Sequence, residues 1–530
     1  MNRAEFLLRD WVGYIRPLGE QYVRWRGSRR GRTLYRCPLL EELLPESVAV
    51  AEQAARRAPT GKDIFLFSVW HHWVEYSALL GLALAGQGHR VTLAFLPYEK
   101  WGRPLDWLTL RQNAAYTRRL LTPAAHLLNP VSVIDLDRPP LPEKLERAVA
   151  QVALYDTQYL LQIEEVDRRH PLYQMRYQRD CLAARTALAW LEQHRPQIVI
   201  VPNGLIFEFG AVYETARYLD IPVVTYEFGE QNERIWLAQN EPIIQHKTDA
   251  LWQARRHIPL TAEQRAWLEG FLRSRQTTQR SDSFARLWQE AERQGSQQAR
   301  AALGLDRRPV VLYTTNVLGD SLTLGRQLLG PTMSDWIRRL MRYFAARPDV
   351  QLVVRIHPGE NLTDGPSVAN VIYQTLPTLP SHIHVIGPKE KINTYDLMDF
   401  ADVGLVYTTT SGLEMALRGI PVLVAGKTHY RGRGFTLDTD TYEEYFARLD
   451  EVLANPAAHR LNEERLELAW NYAYRFFAEF PRPFPWHILH KDEDMHRHPL
   501  QEVLGEAGRI NYASTFRYLT GEPLDWEHLD

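Results

Sequence analysis

The sequence predicts an α/β protein of two doubly wound, Rossmann-like domains in tandem, facing a cleft. Three observations carry that expectation. The chain has 530 residues, more than one ordinary core accommodates. Two regions alternate short β-branched runs with amphipathic stretches, as in open parallel sheets covered by helices. Between them, residues 240–305 are rich in Gln, Arg, Ala and Glu and poor in β-branched side chains, which predicts a helical connector. The expected divisions are a basic N-terminal arm (1–60), a first Rossmann-like domain (61–240), a connector (241–305), a second Rossmann-like domain (306–440) and a helical tail (441–530).

In the first region, 64–69 reads as a buried strand, followed by a helix stopped at Gly86 and Gly88, then a strand over 90–96. A second βαβ unit follows, with strands at 197–201 and 222–226 around a helix at 207–219. The second region opens with PVVLYTT (309–315). A helix at 333–346, strands at 350–356 and 383–386, a helix at 394–400, and strands at 403–407 and 421–425 follow. After 440 the chain turns helical and aromatic.

Charge and cysteine content narrow the function classes. Sixty-two basic against 64 acidic side chains leave a net charge of −2, so no global field draws the chain to nucleic acid. Two cysteines, Cys37 and Cys181, exclude a disulfide scaffold and fit a reducing compartment. The start, MNRAEFLLRDWVGYI, has acids among its apolar residues, so it reads as neither signal peptide nor membrane span, and a cytoplasmic location is expected. Residues 1–36 nevertheless hold nine arginines against three acids, interleaved with Trp11, Tyr14, Tyr22 and Trp25. That pattern suits either an arm packed on the body or peripheral contact with anionic headgroups. The segment HKDEDMHRH (490–498) lacks metal-ligand spacing, and no Walker or GxGxxG element follows a strand; no metal or cofactor is expected.

Ligands of doubly wound sheets bind beyond the carboxyl ends of the strands, so chemistry is sought there. Arg355 and His357 end one strand, with Pro358 forcing the chain out of the sheet. The run VYTTTSGLEMA ends a strand in hydroxyls, with Thr410, Ser411 and Gly412 opening a helix and Glu414 in its first turn. A phosphate pocket, with Glu414 accepting from ribose hydroxyls, is one reading; a capping box from Ser411 to Glu414 is the other. The loop GKTHYRGRGFT (426–436) sets Lys427, His429, Arg431 and Arg433 among three glycines, as a phosphate-neutralising loop or a solvated turn. In the first region Asn203, Gly204, Glu227, Glu230, His71 and His72 lie at strand ends. One of them could serve as an acceptor-side base, or each could be structural.

The run from 402 to 436, with HP at 357–358 upstream, resembles the capsule polysaccharide biosynthesis family, which includes the Kdo transferases. The resemblance lies in a strand ending in Thr and Ser, a "GxE" helix start, a "GxPVxxxG" strand and a "YxGxGxT" loop. Here these appear as TSGLEMALRGIPVLVAG and HYRGRGFT, and the family's "DxS" element matches Asp320 and Ser321 within TTNVLGDSL. The resemblance implies a GT-B glycosyltransferase of surface polysaccharide synthesis, using a nucleotide-activated sugar such as CMP-Kdo and a glycan or glycolipid acceptor. It gives Asp320 the nucleophile's role, with His357 and Glu227 as the other expected catalytic residues. Donor binding would fall to Ser321, Arg355, Thr410, Ser411, Gly412, Glu414, His429, Tyr430, Arg431, Gly434 and Thr436. Asn203, Gly204, His71 and His72 would lie on the acceptor side. The family's Gln ahead of the Asp is replaced here by Thr314, Thr315 and Asn316. A polyol-phosphate transferase of teichoic-acid type, or a nucleotide-binding scaffold without turnover, are the alternatives.

Overall fold

The computed structural model describes residues 3–27, 35–276 and 291–529. The first domain contributes β1 (Asp63–Val69), β2 (Arg90–Leu96), β3 (Val131–Ser132), β4 (Ile198–Pro202), β5 (Val223–Glu227) and β6 (Arg234–Gln239). The second contributes β7 (Val310–Thr314), β8 (Gln351–Arg355), β9 (Ile383–Ile386), β10 (Val403–Val406), β11 (Val422–Val424) and β12 (Leu437–Asp438). A last short strand, β13 (Arg482–Pro483), returns to the first domain.

The first sheet runs β13-β6-β5-β4-β1-β2-β3. It is parallel from β3 to β5 and antiparallel at its β6 and β13 edge. The second sheet runs β12-β11-β10-β7-β8-β9 and is parallel throughout. Counted within its own domain, that order is the doubly wound 3-2-1-4-5-6, read from the β9 edge, with the crevice where β7 and β10 part company. This is a two-domain, GT-B-like α/β fold.

The central strands read as unbroken apolar runs because helices cover both faces, and every residue of β4, β7, β8 and β10 is buried. Register is pinned where Ile64 sits between Val91 and Ile198, and where Leu312 sits between Val353 and Gly404. The helix His71–Gly86 is buried at every residue from 74 to 86, which explains its nearly all-apolar sequence.

Several features escape sequence patterning. Residues 38–55, within the expected N-terminal arm, form a helix whose Leu39, Leu40 and Leu44 join the first core. Two long helices, Glu143–Leu161 and Pro171–His194, also pack there. The C-terminal stretch is shared between the domains: Tyr472, Phe476 and Phe480 pack beneath the second sheet, whereas Phe484, Trp486, Phe516 and Leu519 enter the first core. The tie between the domains is therefore apolar and built from distant sequence.

Candidate active site at the switch point of the second sheet

The ends of β7, β8 and β10 are stitched together by short polar side chains. Thr314 and Ser411 share a hydroxyl hydrogen bond of 2.6 Å across the crevice. Thr315 Oγ1 accepts from the His357 N–H at 2.9 Å, and Asn316 Oδ1 accepts from the Thr408 N–H at 3.1 Å. The Ser411 hydroxyl also reaches Thr409 Oγ1 at 3.1 Å. Small hydroxyls and amides suit this position because three chain segments converge and each leaves backbone groups that no ladder satisfies.

These strand ends line a cavity of about 460 Å³ that also touches the first domain. Asp320, Ser321, Arg355, His357, Thr410, Ser411 and Glu414 all face it, joined by Thr315 and Asn316. From the first domain come Tyr159, Gln162 and Glu230; Arg275, at the end of the connector helix Ala262–Gln276, completes the wall.

Charge in the cavity is arranged unevenly. Arg355 is 3% exposed; it donates to the carbonyls of Gly387 at 2.6 Å and Glu390 at 3.4 Å, its Nε meets no acceptor, and no carboxylate pairs with it among the described residues. Burial lowers its pKa to about 10, partly opposed by Glu390. A buried cation held without a counter-charge is costly, and an anion in the cavity would offset that cost. His357 Nδ1 accepts from the Gly359 N–H at 3.0 Å, so the neutral ring carries its proton on Nε2.

Asp320 is half-buried, and burial raises its pKa. The N–H groups of Leu322 and Ser321 and the Arg326 guanidinium pull the other way, favouring the carboxylate. Tyr159 stands against it. The phenol's pKa is pushed up to about 12, by burial first and then by the charges of Asp320 and Glu227. One tyrosine of the first domain thus senses an acid from each side. Glu227, at the end of β5, accepts from the Phe228 N–H at 3.0 Å, and burial raises its pKa to about 7.

Glu414 is not a solvated helix-start acid. Its Oε1 accepts from Arg275 Nε at 2.8 Å and from the Tyr395 hydroxyl at 3.0 Å, and Arg275 also pairs with Glu230 at 2.9 Å. One guanidinium thus links the two domains beside the cavity. The capping box does not form: no side chain caps the Ser411–Ala416 helix, and the Ser411 hydroxyl turns to Thr314 instead.

The glycine loop lies outside the cavity. His429 is buried, stacked on Phe476 at 3.8 Å, and accepts at Nδ1 from or donates to the Tyr472 hydroxyl at 2.9 Å; burial holds its pKa well below the usual range, so it carries no charge for a phosphate. Arg431 pairs with Asp440 at 2.8 Å, and Arg433 with Asp249 at 2.9 Å. The Thr436 hydroxyl donates to Asp438 at 2.9 Å, and the Gly434 carbonyl accepts from Arg465 at 2.9 Å. Tyr430 acts at one remove. Its hydroxyl donates to the Thr409 carbonyl at 2.7 Å and lies against Gly412, where a Cβ would come within 2.3 Å of the Tyr430 hydroxyl oxygen. The loop thereby sets the height of the Thr409–Ser411 turn, and Gly412 is the residue that leaves room for it.

In the first domain, Asn203 (φ 40°) caps its own turn, its Oδ1 accepting from the N–H groups of Leu205 at 2.9 Å and Ile206 at 3.0 Å. Gly204 (φ 77°) lies against Thr225. Neither lines the cavity. His71 and His72 lie 4.1 Å apart, tilted by 37°, beside Trp70; burial first, then His72, lowers the pKa of His71 to about 4. The sequence reading missed an aromatic row behind them. Trp70 and Trp101 lie 5.3 Å apart, Trp101 stacks on Phe207 at 4.9 Å, and Phe207 meets Tyr159 at 5.9 Å. Trp70 (φ 54°) and Phe207 (φ 59°) both hold left-handed backbone, costly for bulky side chains and concentrated where a site needs fixed geometry. Only the abundance of aromatics after β1 could have signalled it.

Behind that row, Arg176 and Arg179 are buried with Asp156, Asp180 and Glu208. Arg176 pairs with Asp156 at 2.8 Å, and with Asp180 and Glu208 at 3.3 Å; Arg179 pairs with Glu208 at 2.8 Å. Arg179 also donates to the carbonyls of Lys100, Trp101 and Arg103 at 2.8–3.2 Å, fixing the loop that carries Trp101.

Residues 273–457 match the family described as Capsule polysaccharide biosynthesis protein. No curated protein matches the chain in sequence. Among solved structures, the beta Kdo 2,4 transferase KpsC of Thermosulfurimonas dismutans is 18% identical over 55% of this chain and 82% of its own, with a TM-score of 0.35. The beta Kdo 2,7 transferase of the same KpsC is 12% identical over 54% and 79%, with a TM-score of 0.31. UDP-GlcNAc 2-epimerase from Neisseria meningitidis is 14% identical over 79% and 99%, with a TM-score of 0.26. The matched segment holds the whole second sheet and every cavity residue except Tyr159, Gln162 and Glu230. The similarity to the capsule polysaccharide biosynthesis protein family thus falls on residues 273–457, the segment that carries the second sheet.

Proposed function

We propose that the chain is a cytoplasmic glycosyltransferase of surface-polysaccharide synthesis that takes a sugar from a nucleotide-activated donor, CMP-Kdo or a similar compound, and passes it to a glycan acceptor. The observation that carries this reading is the convergence of Asp320, Arg355, His357, Thr410 and Ser411 on one cavity at the second sheet's switch point. The donor's phosphate would sit between Arg355, the His357 Nε2–H and the hydroxyls of Thr410 and Ser411. These groups offset charge that builds on the leaving phosphate as the glycosidic bond breaks. Asp320, held as a carboxylate by the Ser321 and Leu322 amides, would face the anomeric carbon and attack it or stabilise its positive charge. Tyr159 would keep water from that side.

The acceptor would approach along the first domain, over the aromatic row that ends at Tyr159, since flat rings present the surface that sugar C–H groups pack on. Glu227, with a pKa of about 7, is tuned to take the acceptor hydroxyl's proton near neutrality. Calorimetry with CMP, CDP and UDP, followed by product analysis with the matching sugar donors, tests the reading. Binding of one nucleotide that is lost in Arg355→Met, together with a glycoside product, supports it. Retention of the donor's phosphorus in the product would replace it with phosphodiester transfer, and binding without turnover of any donor would leave a scaffold.

A further inference from the structure

The ten large apolar side chains that stand exposed among the described residues are not evenly spread: Trp11, Tyr14, Leu18 and Trp25 fall within one span of fifteen residues, 11–25, and are 41–59% exposed. They lie on two helices, Arg3–Tyr14 and Arg16–Gly27, whose joint is bridged by Ile15 N–H to Trp11 O and Gly19 N–H to Ile15 O bonds. With Tyr22, the positions 11, 14, 18, 22 and 25 recur at helical spacing and form one stripe.

The helices are fixed to the body by close backbone approach and hydrogen bonds. Gly13 abuts the backbone of Leu108, where a Cβ would lie 2.1 Å from its nitrogen, and Gly19 abuts the Arg111 side chain. Asp10 accepts from the Trp107 N–H at 2.9 Å, and the buried Arg111 guanidinium donates to the Gly13 and Tyr14 carbonyls. Tyr14 also meets Trp107 edge-on at 5.3 Å, and this anchoring leaves Trp11, Leu18 and Trp25 exposed.

We propose that these two helices are a membrane-surface element that docks on anionic lipid headgroups. Tryptophan and tyrosine prefer the boundary between headgroup and acyl chain, and the stripe supplies four of them with a leucine between. The surrounding charge selects the occupant. Residues 1–36 carry nine arginines against three acids in a chain whose net charge is −2, so the excess is local. Arg16 and Arg24, 58% and 81% exposed at the side chain, both pair with Glu20, and Arg16 also reaches Asp135 at 3.9 Å. A second copy of the chain would bring the same positive field against itself, whereas an anionic bilayer complements it. No helix among the described residues is long and apolar enough to cross a membrane, so the contact is peripheral.

The test is co-sedimentation of the full chain with vesicles of phosphatidylcholine, alone or mixed with phosphatidylglycerol, at low and high salt. No donor or acceptor is needed, so the result stands apart from the proposed reaction. The expected outcome is binding to the mixed vesicles only, weakened by salt and reduced at least about tenfold in Trp11→Ser/Trp25→Ser. A thermal melt confirms that the variant is folded; should it melt early, Arg16→Gln/Arg24→Gln keeps the stripe and is expected to lose the phosphatidylglycerol preference. Equal binding to both vesicles, no binding to either, or unchanged binding by the variants overturns the proposal. So does a wild-type dimer in sedimentation velocity that the tryptophan variant dissolves while lipid binding is absent, since the stripe would then belong to a second copy.

Discussion

The two sheets share a winding pattern and differ in what they place at the ends of their strands. In the second domain, β7, β8 and β10 end in hydroxyls, an amide and an imidazole that bond to one another and leave a buried arginine without a carboxylate. In the first, an aromatic ring on strained backbone follows β1 and another opens the helix after β4, backed by two buried arginines and three buried carboxyls. One edge is short of anions and open; the other is already neutralised and rigid. A common architecture thus yields a face suited to receive a charged ligand and a face suited to present a shaped, uncharged surface.

The largest effect should come from unbalancing the rigid face. Arg176 is wholly buried among three carboxyls, and replacing it with methionine leaves Asp156 and Asp180 without an arginine partner while Glu208 keeps Arg179, which is expected to destabilise the fold by about 3–5 kcal/mol. Urea denaturation reads this directly. A loss below about 1 kcal/mol would mean that the cluster does not brace the first domain's strand ends. Next, Asp320→Asn should cut donor turnover on the order of a thousandfold while nucleotide affinity changes less than about threefold, because the loss falls on the reacting carbon and not on the phosphate. If turnover survives, the open face binds but Asp320 does not react.

Arg355→Met should separate the faces again, with a smaller effect. Nucleotide affinity by calorimetry should fall about tenfold to a hundredfold, equivalent to about 1.5–3 kcal/mol for a charge-assisted contact. Thermal stability should hold or rise, since a buried cation lacking a carboxylate partner is removed. A lower melting temperature with unchanged affinity would make Arg355 a prop for the 387–390 turn, which its guanidinium already reaches.

Much of the second domain was legible because its strands are short, apolar and evenly interrupted, and because strand-end polarity is informative in a doubly wound sheet. Asp320, Arg355, His357 and Ser411 could be grouped by that rule before any coordinates. The 426–436 loop could not be read on charge alone: Arg433 pairs with Asp249 and His429 meets Tyr472, partners far off in sequence, and Arg431 pairs with Asp440 beyond the loop. Tyr430 shows the same limit, since its contribution is a single hydrogen bond placed under a glycine. The first domain hid more. Its charges at 156, 176, 179, 180 and 208 sit on three helices and carry no motif, and β13 reaches the sheet from the far end of the chain. Patterns of two and three and a half residues cannot report pairings that span hundreds.

The finest distinction between the faces lies in Glu227, an acid of the first domain that does not itself line the cavity but whose charge acts on Tyr159 in its wall. Its folded pKa of about 7 stands above the ordinary carboxyl value because of burial, with the Phe228 N–H only partly opposing. The sign follows from proton uptake: between the unfolded and folded values the native state holds more protons, so stability is greatest below the ordinary carboxyl range and falls as pH rises through 7. Glu227→Gln removes that dependence. Its melting temperature should therefore gain on the parent as pH is raised from 5 to 8, with little difference at the acid end. Activity should move oppositely, rising through pH 7 in the parent as the carboxylate forms and flattening at a lower level in the variant. A gain in stability without any change in the pH–rate profile would leave Glu227 a buried structural acid, and would pass the acceptor's proton to another group of the first domain.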